Sequence, residues 1–77
     1  MERYKNLGGS SGVFAYETDH DSIKVQFRDG MVYVYTSKSA GVGNIKRMKE
    51  LAMVGSQLNS FINRVVKNLY SERYRDI

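Results

Sequence analysis

The sequence has no cysteine, no proline and no tryptophan, and its one histidine is His20. The missing thiols exclude a disulfide framework and a thiolate zinc site. A single imidazole also excludes a multi-histidine metal centre or a two-histidine relay. Asp19, His20 and Asp21 are consecutive on a turn, where three side chains rarely converge on one ion, so no metal and no cofactor is expected. The carboxylates are scattered, with no acid/base pair on one expected face, and His20 has no serine or cysteine partner. No catalytic residue emerges and a non-enzymatic role is expected. No apolar run approaches the roughly 18 residues of a membrane helix. Met1–Leu7 is charged and lacks the apolar core of a secretory signal. The expectation is a cytoplasmic protein with no membrane partner.

What is present is short and basic. A chain of 77 residues is one small domain, burying only about 60% of its unfolded surface. The net charge of +4 favours acidic partners, nucleic acid among them. The charge is unevenly placed: residues 1–36 carry four cations and five carboxylates, and residues 37–77 carry eight cations and three carboxylates.

Residues 1–12 end in Gly8-Gly9-Ser10-Ser11-Gly12 and read as a flexible lead-in. Residues 13–74 read as the domain, and residues 75–77 as a frayed end. Val13–Thr18 is rich in aromatic and β-branched residues, and Asp19–Ser22 is a turn cluster. Ile23, Val25 and Phe27 alternate with Lys24, Gln26 and Arg28, the period of a half-buried strand. Asp29-Gly30 marks a hairpin into a third strand, Met31–Thr36. Further on, Ile45, Met48, Leu51 and Ala52 share one helix face, with Asn44 a fitting N-cap and Gly55 a fitting stop. Leu58, Phe61, Ile62, Val65, Val66 and Leu69 form a second helical stripe. The expected architecture is α+β: a three-stranded antiparallel β-meander followed by two helices packed on one sheet face (βββαα).

The hairpin at Asp29-Gly30 leaves two registers, and a one-residue slip exchanges the sheet faces. A two-residue loop pairs Phe27 with Val32 and sets Tyr33 and Tyr35 on the outer face beside Lys24 and Arg28, a basic-aromatic platform able to stack bases. A three-residue loop pairs Phe27 with Met31, turns Tyr33 and Tyr35 inward, and leaves Val32 and Val34 as an exposed apolar strip that invites a homo-dimer or higher oligomer.

Tyr16 stands seven residues before Ile23, and Phe27, Gly30, Tyr33 and Tyr35 follow as F-x-x-G-x-x-Y-x-Y. Gly55, Leu58, Asn59 and Ile62 fit G-x-x-[FL]-N-x-x-I. This spacing resembles the KTSC domain, a small module named after the C-terminus of some lysyl-tRNA synthetases. The match runs over about residues 10–70. It departs from the family in lacking the Val-Pro that follows the tyrosines, and in having Leu51 and Met53 where the family tends to have Ala and Ser. The resemblance implies a strand-then-helix module, often stand-alone in bacteria and phages, with a nucleic-acid role and no catalytic residues. It also favours the three-residue loop, since a tyrosine at the core edge covers the core while its hydroxyl reaches a polar partner.

Two basic features are candidate anion sites. Gly41-Val42-Gly43 leads into a helix start followed at once by Lys46 and Arg47, with Lys38 and Lys49 nearby. Free N–H groups at a helix start attract anions, and cations in the first turn oppose the helix dipole unless an anion neutralises them. Arg64 and Lys67 lie on the polar face of the last helix, where they suit phosphate oxygens. The expected partner is RNA or single-stranded DNA held by phosphate contacts. The alternatives are a small phosphorylated ligand such as a nucleotide, or a second copy of the chain.

Overall fold

The alternation of Ile23, Val25 and Phe27 becomes a strand in the computed structural model, which describes residues 1–76. Three strands form a hairpin ladder: β2 (Val13–Asp19), β3 (Ser22–Phe27) and β4 (Met31–Thr36). Ile23 pairs with Tyr35 and Val25 with Tyr33, the register of the three-residue loop. Gly30 adopts φ +90°, open to glycine at little cost. Its N–H donates to the Phe27 carbonyl at 3.0 Å, and the Met31 N–H to Asp29 Oδ1 at 3.0 Å.

The sheet is wider than a meander of three. A short strand β1 (Glu2–Arg3) pairs antiparallel with β2, and β5 (Glu72–Arg75) pairs antiparallel with β4, giving the order β1-β2-β3-β4-β5. This corrects the βββαα expectation: the fold is a five-stranded antiparallel sheet with three helices. Both added strands are exposed along their length. Strands held by backbone pairing, with no buried face, carry no alternating apolar signal. Residues beyond β1 are tied down too. Tyr4 is buried, and its hydroxyl accepts the Leu58 N–H at 3.3 Å. The Leu7 N–H donates to the Gly55 carbonyl at 2.8 Å.

The β5 strand also changes the outer face. Val32 lies between Gln26 and Tyr74, and Val34 between Lys24 and Glu72. Both valines are buried, so the exposed apolar strip expected for this register is absent.

Helix α1 (Ser37–Ala40) starts at Thr36 in a reciprocal capping box with Ser39. Helix α2 (Val42–Val54) follows after Gly41, whose φ of +96° makes the corner. Asn44 is therefore inside the first turn and does not cap it; its Nδ2 donates to the Ala40 carbonyl at 2.8 Å. The expected buried face of α2, Ile45, Met48, Leu51 and Ala52, is the observed one. Gly55 ends it in the left-handed region.

Helix α3 (Leu58–Phe61) runs on into a π-helical turn, Ile62–Val66. The buried positions are Leu58, Ile62 and Val66, steps of four. Val65 and Leu69 are exposed, so the expected stripe ends early. The wider winding of a π turn keeps steps of four on one face and turns Val65 outward. One core results, with Tyr16, Ile23, Val25 and Tyr35 of the sheet under Met48, Leu58 and Val66 of the helices. Among the described residues no helix is long and apolar enough to cross a membrane.

Candidate nucleic-acid interface

Tyr33 follows from the register. It sits on the helix-covered face but at its rim, packed against the core without being enclosed by it. Around it gathers an aromatic cluster. The Phe27 ring meets it edge-on at 5.6 Å, the Tyr70 ring edge-on at 5.2 Å, and Tyr35 lies nearly parallel at 6.5 Å. Tyr70 arrives because the helix ends at the π turn and the chain bends back to pair with β4, where Arg73 falls opposite Tyr33. The Arg73 guanidinium stands 5.6 Å from the Tyr70 ring centroid, within cation–π range.

These groups bound an open cleft of about 340 Å³, within the size range of small-ligand sites. Phe27, Tyr33 and Tyr70 supply its aromatic wall, Lys67 and Arg73 its cations, and Asn63 and Asn68 its amides. Asp29 stands at the rim. The Asp29 backbone carbonyl accepts Arg75 Nη1 at 2.6 Å. Among the described residues the single ion pair joins Arg47 and Glu50 at 3.3 Å, so neither Lys67 nor Arg73 has a carboxylate within ion-pair distance, although Asp29 lines the same cleft. Aromatic rings beside cations and amides are groups of the kind that can stack a planar ring, meet a phosphate or hydrogen-bond a base edge.

Two buried phenols hold their protons more tightly than a free tyrosine. Burial pushes Tyr35 well above its ordinary value, with Tyr33 and Tyr70 adding to the shift. Tyr16 is pushed up first by burial and then by the neighbouring Glu2 carboxylate. Among the described residues no group of three or more His, Asp or Glu side chains is placed to hold a metal ion.

The residues singled out in the sequence are dispersed. Lys67 and Tyr33 meet in the cleft. Tyr35 is in the core. Lys24 is on the opposite sheet face, between Glu17 and Val34. Arg28 turns back, its Nε donating to the Ser11 carbonyl at 3.0 Å. The four therefore form no common platform. Gly41 is a corner between helices and Gly43 lies within α2, so no glycine loop precedes that helix. Lys49 is committed to structure: its ammonium donates to the Asp19 and His20 carbonyls, the latter at 2.9 Å, pinning α2 to the β2–β3 turn. Arg47 is paired with Glu50, while Lys38 and Lys46 are exposed and line neither the aromatic wall nor the rest of the cleft. Arg64 Nε bonds the Ser60 carbonyl at 3.4 Å on the solvent side.

Sequence reading missed Tyr70, Arg73 and Asn68, took Phe27 as a strand position alternating with Arg28, and left Asn63 beside Arg64 and Lys67 on the polar face of the last helix. A signal for them exists: Lys67, Tyr70 and Arg73 recur at steps of three, the cation–aromatic interleaving of single-strand binders. No family model matches the chain, and neither a curated protein nor a solved structure matches it.

Proposed function

We propose that this protein is a non-enzymatic binder of single-stranded nucleic acid, RNA or DNA, acting in the cytoplasm. One nucleotide seats in the aromatic–basic cleft. The observation that carries this reading is Tyr33, Tyr70 and Arg73 standing together beside Lys67, with neither cation in an ion pair among the described residues. Aromatic rings accept any base, at about 1–3 kcal/mol per stacked base, and cations contribute the salt-sensitive part of the affinity. The KTSC-like spacing through Tyr33 and Tyr35 supports the same reading, as does the surplus of cations in residues 37–77.

A second reading, a binder of free nucleotides, is favoured by the cleft's volume, which suits one nucleotide better than a long track. Fluorescence anisotropy with a short labelled single strand, at low and high salt and with mononucleotide competitors, separates the two. Salt-sensitive binding that a mononucleotide displaces only weakly fits the first reading. Tight displacement by a mononucleotide fits the second. No binding at low salt overturns both.

A further inference from the structure

A second cleft, of about 210 Å³, lies where the N-terminal segment packs on the corner between α2 and α3. Its lining is entirely uncharged, contributed by Tyr4, Asn6 and Ser11 on one side and Gln57, Asn59 and Ser60 on the other. Among the described residues the two non-glycine residues with positive φ, Asn6 at 54° and Gln57 at 67°, both stand on its wall. Such backbone costs on the order of 1–3 kcal/mol and concentrates at functional sites. Asn6 has a local use: its Oδ1 accepts the Ser11 N–H at 3.1 Å. Gln57 has none. A glycine or asparagine would make the left-handed corner with less strain, yet the position carries a long amide. Among the described residues neither the Gln57 amide nor the Asn59 amide takes a hydrogen bond.

Gly12 stands between a residue of each cleft. A Cβ placed there would meet Asn59 Nδ2 and Phe27 Cδ2, each at 3.8 Å. The Asn59 amide of the polar cleft and the Phe27 ring of the aromatic cleft thus face each other across one glycine. Asn59 and Asn63, one in each cleft, are a helical turn apart, about 6 Å. That is the scale of the step between neighbouring nucleotides in an extended strand.

Resting on the nucleic-acid reading above, we infer that the polar cleft is a second subsite that reads the adjacent base, and that it selects adenine. An uncharged lining gives phosphate no counter-charge but suits a base edge. A primary amide matches the donor and acceptor of adenine bidentately, and bases splayed from a single strand offer those edges.

The test is anisotropy with labelled adenine, uracil and cytosine runs on the wild type, Asn59→Ala, Gln57→Gly and Tyr70→Ala. The wild type should prefer the adenine run by about 10-fold. Asn59→Ala should erase that preference while keeping uracil-run binding and the salt dependence. Gln57→Gly keeps the left-handed backbone, so it should lower the preference without lowering Tm, and it guards against a folding defect in the first variant. Tyr70→Ala should weaken all runs alike. A wild type without base preference, or a preference unchanged in both amide variants, overturns the second subsite and leaves the aromatic cleft standing. A wild type that binds no run overturns the reading beneath it as well.

Discussion

Tyr70 meets Tyr33 edge-on, with ring centroids 5.2 Å apart and planes at 74°. One ring belongs to β4 and the other to the link between the π turn and β5, so the contact joins the sheet to the chain's return. Tyr70 is half-buried, and an aromatic pair is worth about 0.5–1.5 kcal/mol. Tyr70→Ala should therefore lower Tm by about 4–8 °C and leave the fold intact. Its oligonucleotide affinity should fall further, by about 5- to 150-fold, the loss of one stacked base. Anisotropy and a thermal melt on the same preparation check both.

The cations are expected to act unequally. Lys67→Gln and Arg73→Gln remove charge from the cleft, and each should flatten the salt dependence of binding by about 0.7 in the log–log slope. Lys46→Gln and Arg47→Gln should leave that slope unchanged, because neither side chain lines the cleft. Affinities measured over a salt series distinguish the two pairs.

Gly55 and Gly43 should respond oppositely to alanine. At Gly55, φ is +85° and an added Cβ would lie 2.5 Å from Lys5 Cβ and 3.3 Å from Lys5 Cα. Gly55→Ala should cost more than about 1 kcal/mol and loosen the N-terminal segment that bonds the Gly55 carbonyl. Gly43 has nothing within 4 Å and sits in the first turn of α2. Gly43→Ala should stabilise by up to about 1 kcal/mol and leave binding unaltered. Urea unfolding reads both stabilities.

Stability should fail on the alkaline side. The folded state holds the Tyr35 and Tyr16 protons more tightly than the unfolded chain, whose phenols titrate near 10.0. The stabilisation is full below that value and is lost as pH rises above it, by up to about 1.4 kcal/mol per pH unit for Tyr35, with Tyr16 acting in the same direction. Tyr35→Phe keeps the ring in the core and removes one titrating group. The alkaline fall in its urea midpoint should be shallower than the wild type's.

Much of the core was legible because each segment turns one apolar face inward. Ile45, Met48, Leu51 and Ala52 announce α2, and Ile23 and Val25 announce β3. β1 and β5 were not legible. Glu72-Arg73-Tyr74-Arg75 is exposed throughout and pairs through its backbone, which leaves no pattern in the side chains. The π turn was hidden too, because Val65 and Leu69 fit an α-helical stripe that the real helix does not continue. The candidate site depended on both features. Lys67 and Tyr33 were identifiable singly, but only the end of the helix and the return of β5 bring Tyr70 and Arg73 to them. The glycine-rich stretch at Gly41–Gly43 hid its structure for a related reason: helix α1 spans Ser37–Ala40, so Gly41 separates two helices, Gly43 lies within the second, and the two form no loop.

The most direct measurement is a titration of the isotopically labelled full chain with a short single-stranded oligonucleotide at low salt, followed by amide NMR shifts. The account expects the largest changes at Tyr33, Asn63, Lys67, Tyr70 and Arg73, reversed by added salt. Changes confined to residues 38–49, or no changes at all, would contradict it.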